Sequence, residues 1–210
     1  MSEITSYIKI FVALIVLVNP IEGLPIFITN TRNLTREQKI AIAKKTSLAV
    51  FIILIVSLFL GRYLLELFGI GIPSFSVAGG IIIFLIAVNM VIGTSSGEKS
   101  IPDDPAQSGA GDIAIVPLAT PLLAGPGAIS SMIVYGSRNP GITEDIILSC
   151  IVVLIAIAVW FSLNAAARLD KKLNATGIKV LTKISGLLVA AIAIELIVSG
   201  LKQMIPSIAG

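Results

Sequence analysis

Residues 18–25 read VNPIEGLP and lie inside the apolar run from Ile10 to Ile28. A proline within a helix removes a backbone donor and clashes with the preceding turn, and a glycine weakens the helix further. Pro20, Gly23 and Pro25 therefore predict that this apolar helix is broken. At membrane depth, the backbone groups that such a break frees must lie within protein or beside a water-filled cavity.

A second stretch of the same kind lies about a hundred residues further along, where residues 120–127 read TPLLAGPG. Two broken spans in corresponding positions are typical of the binding site of a secondary transporter. The alternative is that the prolines and glycines only bend the helices for close packing, as small residues do in membranes.

The composition indicates a helical membrane protein that crosses the bilayer several times. Of 210 residues, 56% are hydrophobic and 13% are charged, against about 25% charged in a soluble domain. A transmembrane helix needs about 20 predominantly apolar residues, and six runs of that kind occur. The predicted spans are Ile8–Asn30, Ser47–Phe68, Ser74–Gly93, Ile113–Gly136, Ile146–Ala167 and Val180–Leu201.

Several classes of function lack the residues that they need. The chain has no histidine and a single cysteine, Cys150, so no metal site, cofactor or redox pair is expected. No Walker A, GxSxG or HExxH sequence occurs, and we do not expect an enzyme or a nucleotide-driven pump. Loop lysines and arginines account for the net charge of +3, so no nucleic-acid partner is expected.

The two halves of the chain resemble one another at a fixed separation of 106 residues. Residues 1–93 and 113–210 each contain three predicted spans, and the polar connector 94–112 separates them. Because three is odd, the second half enters the membrane in the opposite sense, which predicts a 3+3 inverted repeat with broken helices 1 and 4. The matched pairs include Pro20 and Pro126, Arg62 and Arg168, Gly80 and Gly186, and Ala87 and Ala193.

Lysines and arginines predict the orientation in the membrane. Of the 15 in the chain, eleven lie on the side reached after spans one, three and five. The other side carries the remaining four, which are Lys9, Arg62, Arg138 and Lys202. Since cytoplasmic loops carry the excess of positive charge, both termini are expected outside the cell membrane.

The sequence resembles the MarC/SnatA family of inner-membrane proteins over essentially its whole length. The resemblance rests above all on residues 116–121, VPLATP, and 124–129, AGPGAI, together with Asn19-Pro20. It is also carried by residues 68–70, FGI, and 78–80, AGG. The resemblance implies a transporter of small neutral amino acids such as glycine and alanine, driven by an ion gradient. The predicted coupling ion is a proton or sodium, and the small room for side chains at Gly125 and Gly127 adds serine as the next candidate substrate. In the family the position of Glu22 is usually small or neutral, so no family role carries over to it.

A neutral amino acid is a zwitterion, and its site must satisfy a carboxylate and an ammonium together. A helix N-terminus at the second break suits the carboxylate, and carbonyls at the first break suit the ammonium. Glycines allow close approach, and hydroxyls and the Asn19 amide add hydrogen bonds. At mid-membrane Glu22 is a candidate to bind the ammonium or carry the coupling proton, unless it is simply neutral and hydrogen-bonded. The predicted substrate-binding residues are Asn19, Pro20, Glu22, Gly23, Thr120, Gly125, Pro126, Gly127, Ser130 and Ser131.

Two other functions remain open at this point. A passive channel for small polar solutes is one, because some such pores join two inverted broken helices with Asn-Pro at each break; here the second break carries Gly125-Pro126. A drug or metabolite efflux protein is the other, although the predicted site offers few large aromatic surfaces. The residues do not specify an oligomeric state. Outside the site, Arg62 and Glu66 are predicted to pair at a helix end, and Glu195 to lie at the membrane interface.

Overall fold

The computed structural model describes residues 3–21, 23–32, 34–92, 123–138, 141–169 and 175–205, and it is helical throughout these ranges apart from short turns. The helices are α1 (Glu3–Val18), α2 (Gly23–Thr31), α3 (Arg36–Leu67), α4 (Ile72–Ile92), α5 (Pro126–Arg138), α6 (Ile142–Leu169) and α7 (Ala175–Met204). The predicted all-helical class is confirmed.

Four of the described helices, α3, α4, α6 and α7, are long and apolar enough to cross a membrane. Only 28% to 39% of the apolar window of each helix is buried inside the protein, so most of each window lies at the surface. The other two predicted spans differ from these four. Span 8–30 is divided into α1 and α2, and α5 forms the later part of span 113–136, whose residues 113–122 lie outside the described part of the chain.

The end of α1 follows from the chemistry of Asn19 and Pro20. Asn19 has a left-handed backbone with φ of 40°, which asparagine tolerates better than most residues, and its N–H donates to the Ile15 carbonyl at 3.0 Å. Pro20 follows and cannot continue the helix. The break is shorter than predicted, because Pro25 lies in the first turn of α2, where the missing N–H removes no intrahelical bond.

The start of α5 follows from Pro126. Proline at the first helical position has a fixed φ suited to the helix, and it lacks only an N–H that has no helical partner there. Leu123 and Ala124 form the turn before it, and the Gly125 carbonyl accepts the first helical bond from the Ile129 N–H at 3.1 Å.

Local capping also fixes the two ends of α3. Thr35 and Gln38 form a capping box in which each side chain accepts from the other's backbone N–H, at 3.3 and 2.9 Å. At the other end Gly69, with φ of 65°, closes the helix. The predicted pair of Arg62 and Glu66 is confirmed, with Nε and Oε1 2.8 Å apart.

The four long helices pack as two antiparallel pairs. In the pair α3 and α6, the Ser47 hydroxyl donates to the Ala156 carbonyl at 2.7 Å. In the pair α4 and α7, the Ser76 hydroxyl donates to the Leu196 carbonyl at 3.0 Å. Towards the C-terminal end of α7, Gly200 lies against Pro73 at the start of α4, which shows that these two helices are antiparallel.

Helix α5 lies between the two pairs and joins two buried apolar clusters. Met132 belongs to the cluster formed with α1, α2, α3 and α6, whereas Val134 belongs to the cluster formed with α4 and α7. Both sides of α5 therefore pack against other helices, whereas Pro126 at its first position is exposed. This placement positions the candidate site.

Candidate functional site

The two predicted breaks lie against each other. A Cβ atom added to Gly23, the first residue of α2, would lie 3.1 Å from Leu123 Cδ2 in the turn before α5. Gly23 is buried and Leu123 is fully buried. The Leu123 side chain therefore fills the space directly between the breaks, where the sequence predicted a cavity.

The first turn of α5 is enclosed by two further helices. A Cβ atom added to Gly127 would lie 2.9 Å from Ile83 Cγ1 on α4 and 3.8 Å from Leu17 Cδ2 on α1. A larger residue at this position has no room unless Ile83 moves. The absence of a side chain at Gly127 thus lets three helices meet at the start of α5.

The electrostatic character of this place follows from the backbone of α5. The first N–H groups of a helix have no intrahelical partner, and Gly127 and Ala128 hold such positions. These groups point out of the N-terminus and carry the positive end of the helix dipole. Gly127 and Ala128 are both buried, so an anionic group bound here would be shielded from water. The geometry suits a carboxylate.

Two serines on α5 differ in what their side chains contact. Ser130 packs on α4, since a Cβ atom added to Gly79 would lie 2.7 Å from Ser130 Cβ. Ser131 is fully buried, and its hydroxyl has no hydrogen-bond partner within the described residues. Among the described residues of this site, the Ser131 hydroxyl is therefore available to a ligand.

The structure brings most of the predicted site residues to the two breaks. Asn19 and Pro20 are buried at the end of α1, and Gly23 begins α2. Gly125, Pro126, Gly127, Ser130 and Ser131 lie at the start of α5 or within its first turns. Glu22 and Thr120 lie outside the described residues.

Sequence reasoning missed several polar groups. Ser137 Oγ on α5 and Asn164 Oδ1 on α6 are buried and have no hydrogen-bond partner in the described ranges. An amide inside the apolar span 146–167 was a signal for Asn164. At the far end of α5, Arg138 Nη2 donates to Ser199 Oγ on α7 at 3.2 Å. Sequence gave no signal for that contact, because it joins separate helices.

Acidic groups and metal ligands are sparse in the described ranges. There, no three histidine, cysteine, aspartate or glutamate side chains lie together in a way that could hold a metal ion. The polar groups that the structure describes at the breaks are instead backbone amides, hydroxyls and the Asn19 carboxamide. Such groups recognise small polar or zwitterionic molecules by hydrogen bonding.

Comparison with known proteins gives matches over nearly the whole chain. The UPF0056 membrane protein YhcE of Escherichia coli (strain K12) is 41% identical over 203 residues, which make up 96% of this chain and 94% of that one. A UPF0056 membrane protein of Buchnera aphidicola subsp. Schizaphis graminum is 39% identical, covering 97% of this chain and 95% of its own.

The similarity extends to archaea. The UPF0056 membrane protein MJ1677 of Methanocaldococcus jannaschii is 31% identical, covering 95% of this chain and 98% of its own. No solved structure matches. The family model for the MarC family integral membrane protein matches residues 4–205. The chain therefore belongs to the MarC family of integral membrane proteins.

Proposed function

We propose that this protein is a secondary transporter of small neutral amino acids, driven by a proton or sodium gradient, and not an enzyme. The observation that carries the proposal is the contact of Gly23 with Leu123, which brings the break between α1 and α2 against the turn at the start of α5. Transporters place their substrate at such breaks, where freed backbone groups are buried in protein.

The substrate binds as a zwitterion in this proposal. Its carboxylate accepts hydrogen bonds from the N–H groups at Gly127 and Ala128 and from the Ser131 hydroxyl. Its ammonium lies near the backbone carbonyls of the first break, at Asn19. Leu123 occupies the space between the breaks, so substrate binding requires that this side chain move aside.

Contacts between α4 and α7 support the proposed 3+3 inverted repeat. A Cβ atom added to Gly80 would lie 2.9 Å from the Ala193 carbonyl, and one added to Gly186 would lie 3.2 Å from the Ala87 carbonyl. Gly80 and Gly186 are 106 residues apart, as are Ala87 and Ala193. Exchanging the two halves therefore reproduces the contact, which a two-fold axis in the membrane plane explains.

Both termini lie outside the cell membrane in this proposal, because the excess of positive charge belongs inside. Arg36 is exposed at the start of α3 and therefore suits a test by thiol labelling. In a Cys150→Ser background, Arg36→Cys should react with an impermeant reagent only after the membrane is opened. Labelling from outside in intact cells would show that the orientation is opposite to the proposed one.

The proposed function is tested by uptake of labelled glycine into proteoliposomes with an imposed proton or sodium gradient. Alanine and serine should compete best, and leucine, glutamate and lysine poorly, since Gly127 lies against Ile83 with little free space. Gly127→Val should reduce uptake at least about tenfold, because the added side chain closes the carboxylate site.

The matched control is Gly141→Val, because a Cβ atom there meets nothing within 4 Å. This variant should transport as the wild type does. Equal competition by leucine and alanine would overturn the small-substrate assignment, and normal uptake by Gly127→Val would move the carboxylate site elsewhere. A flux of glycerol that does not saturate and does not depend on the gradient would show that the protein is a passive channel. Gradient-driven export of apolar drugs would show that it is an efflux protein.

A further inference from the structure

A second polar constellation lies at the end of α5 opposite to the helix breaks. The Arg138 guanidinium donates to Ser199 Oγ at 3.2 Å, and its Cζ lies 5.4 Å from the centre of the Tyr135 ring. With a rise of 1.5 Å per residue, Arg138 is about 18 Å along α5 from Pro126. In the proposed transporter the breaks lie near the bilayer midplane, and that distance exceeds half of the hydrocarbon thickness, which places this constellation near a membrane boundary.

Glu195 belongs to the same place on α7. It precedes Ser199 by four residues, and side chains four apart on a helix are neighbours, with Cβ atoms about 5–6 Å apart. The Arg138 guanidinium lies over the Tyr135 ring and donates to Ser199, so Tyr135 lies at the same part of α7 as Glu195. One cation and one anion therefore share a patch around Tyr135, which we call the α5–α7 patch: Tyr135, Arg138, Glu195 and Ser199.

The two charges of the α5–α7 patch do not pair with each other. Within the described part of the chain neither Arg138 nor Glu195 takes part in an ion pair, and both are exposed. Arg62 and Glu66 show the contrast, because Nε of Arg62 lies 2.8 Å from Oε1 of Glu66 on one face of α3. An unpaired cation beside an unpaired anion is complementary to a molecule that carries both charges.

We propose that the α5–α7 patch is a recognition site where a zwitterionic amino acid binds before it reaches the helix breaks. Arg138 holds the carboxylate through charge-assisted hydrogen bonds, and Glu195 holds the ammonium. Tyr135 lies between them. This inference rests on the proposed transport of amino acids, but it concerns a different site from the breaks.

The other half of the chain has no equivalent charge pair. The residues 106 positions earlier are Arg32 for Arg138 and Asn89 for Glu195, so the cation is kept and the anion is replaced by an amide. Of these two pairs of positions, Arg138 and Glu195 offer a zwitterion both a cation and an anion, whereas Arg32 and Asn89 do not. The recognition site is therefore one-sided, and it favours binding from the side of the membrane on which α5 ends.

The test is the concentration dependence of glycine uptake in proteoliposomes for Arg138→Gln and Glu195→Gln. Each should raise KM about five- to tenfold while Vmax stays within about twofold, because the lost contacts are charge-assisted but partly exposed. The matched controls are Arg62→Gln and Glu66→Gln, which remove exposed charges from α3 and should leave KM unchanged. A purely structural role would instead lower Vmax and thermal stability at constant KM, and would overturn the proposal.

Charge exchange gives a second measurement. Arg138→Glu combined with Glu195→Arg keeps one charge of each sign in the patch, so its KM should be lower than that of either reversed single variant. Unchanged KM in both neutral variants, with uptake intact, would overturn the recognition site and leave the proposed transport standing. A wild-type protein that takes up no amino acid would overturn both.

Discussion

Pro20 and Pro126, which occupy equivalent positions in the proposed repeat, have opposite roles in the structure. Pro20 follows the end of α1, behind the left-handed Asn19, whereas Pro126 is the first residue of α5. In the repeat register, α5 begins three residues earlier than α2, which begins at Gly23. A proline at the same position of the proposed repeat therefore follows a helix in one half and begins a helix in the other. The residue before the proline differs: Asn19 has a left-handed backbone, and Gly125 does not.

The breaks also differ in polarity. Ser130 and Ser131 on α5 correspond to Leu24 and Pro25 on α2, so the second break carries hydroxyls where the first is apolar. The first break instead contributes the buried Asn19. This asymmetry supports a site in which each break serves a different end of a zwitterion, with the carboxylate at the start of α5.

The largest expected effect on stability is at Gly80, and it should exceed the effect at Gly186, the glycine 106 residues later. At Gly80 an added Cβ would lie 2.6 Å from Ile197 Cγ1 and 2.9 Å from the Ala193 carbonyl, which is backbone. At Gly186 the closest atoms are the side-chain atoms Met90 Cβ and Val91 Cγ2, both at 3.0 Å. Gly80→Ala should therefore lower the free energy of unfolding by about 2–3 kcal/mol.

Gly186→Ala should cost at most about 1 kcal/mol, because the helix preference of alanine over glycine offsets a milder clash. Unfolding in detergent, followed by circular dichroism, measures both. Gly141→Ala is the control for the general effect of adding a methyl group, since its surroundings are open. Equal losses at Gly80 and Gly186 would mean that the two halves pack alike despite the different distances.

A smaller effect is expected at Asn19. Alanine is strained at a positive φ and glycine is not, so Asn19→Ala should be about 1 kcal/mol less stable than Asn19→Gly. Both variants lack the asparagine side chain, so their difference isolates the backbone. Gly69→Ala is a matched control, because Gly69 has φ of 65° with nothing within 4 Å of an added Cβ.

The second break should not show this effect. Among the described residues positive φ occurs at Asn19 and Gly69, so Gly125 does not need the left-handed region. Gly125→Ala should therefore carry no backbone strain. If Gly125→Ala lost as much stability as Asn19→Ala, the backbone would be equally strained before both prolines. The distinction between a proline that ends a helix and one that begins it would then be wrong.

The sequence predicted the features that depend on local backbone chemistry. The break after Asn19, the start of α5 near Pro126 and the pair of Arg62 and Glu66 all follow from neighbouring residues, and the structure shows each of them. The position of Pro25 was predicted less well, because a proline in the first turn of a helix is tolerated and only the structure shows where that turn begins.

Features that depend on packing between distant helices could not be predicted from the sequence. Leu123 fills the space against Gly23, and Arg138 reaches Ser199 on another helix. Neither contact has a periodicity or a spacing that marks it. The same holds for Ser131: its place in the predicted site came from its residue type, but only the structure shows that its hydroxyl has no partner in the described ranges.

The smallest expected effect on stability is at Ser131, where a substitution should change transport while it leaves stability nearly unchanged. The Ser47 hydroxyl donates to the Ala156 carbonyl at 2.7 Å, so Ser47→Ala should lower the free energy of unfolding by about 1 kcal/mol. Ser131→Ala removes a hydroxyl that has no partner among the described residues, so it should leave stability unchanged or raise it by a few tenths of a kcal/mol.

For transport, we expect the larger effect from Ser131→Ala and the smaller one from Ser47→Ala. Ser131→Ala should raise the KM for glycine several-fold, because the carboxylate loses one hydrogen bond inside a buried site, whereas Ser47→Ala should leave KM unchanged. Thermal unfolding and glycine uptake on the same preparations measure both quantities. A Ser131→Ala protein that is less stable than the wild type, with an unchanged KM, would show that the hydroxyl has a structural partner. The second break would then hold the carboxylate through the backbone of α5 alone.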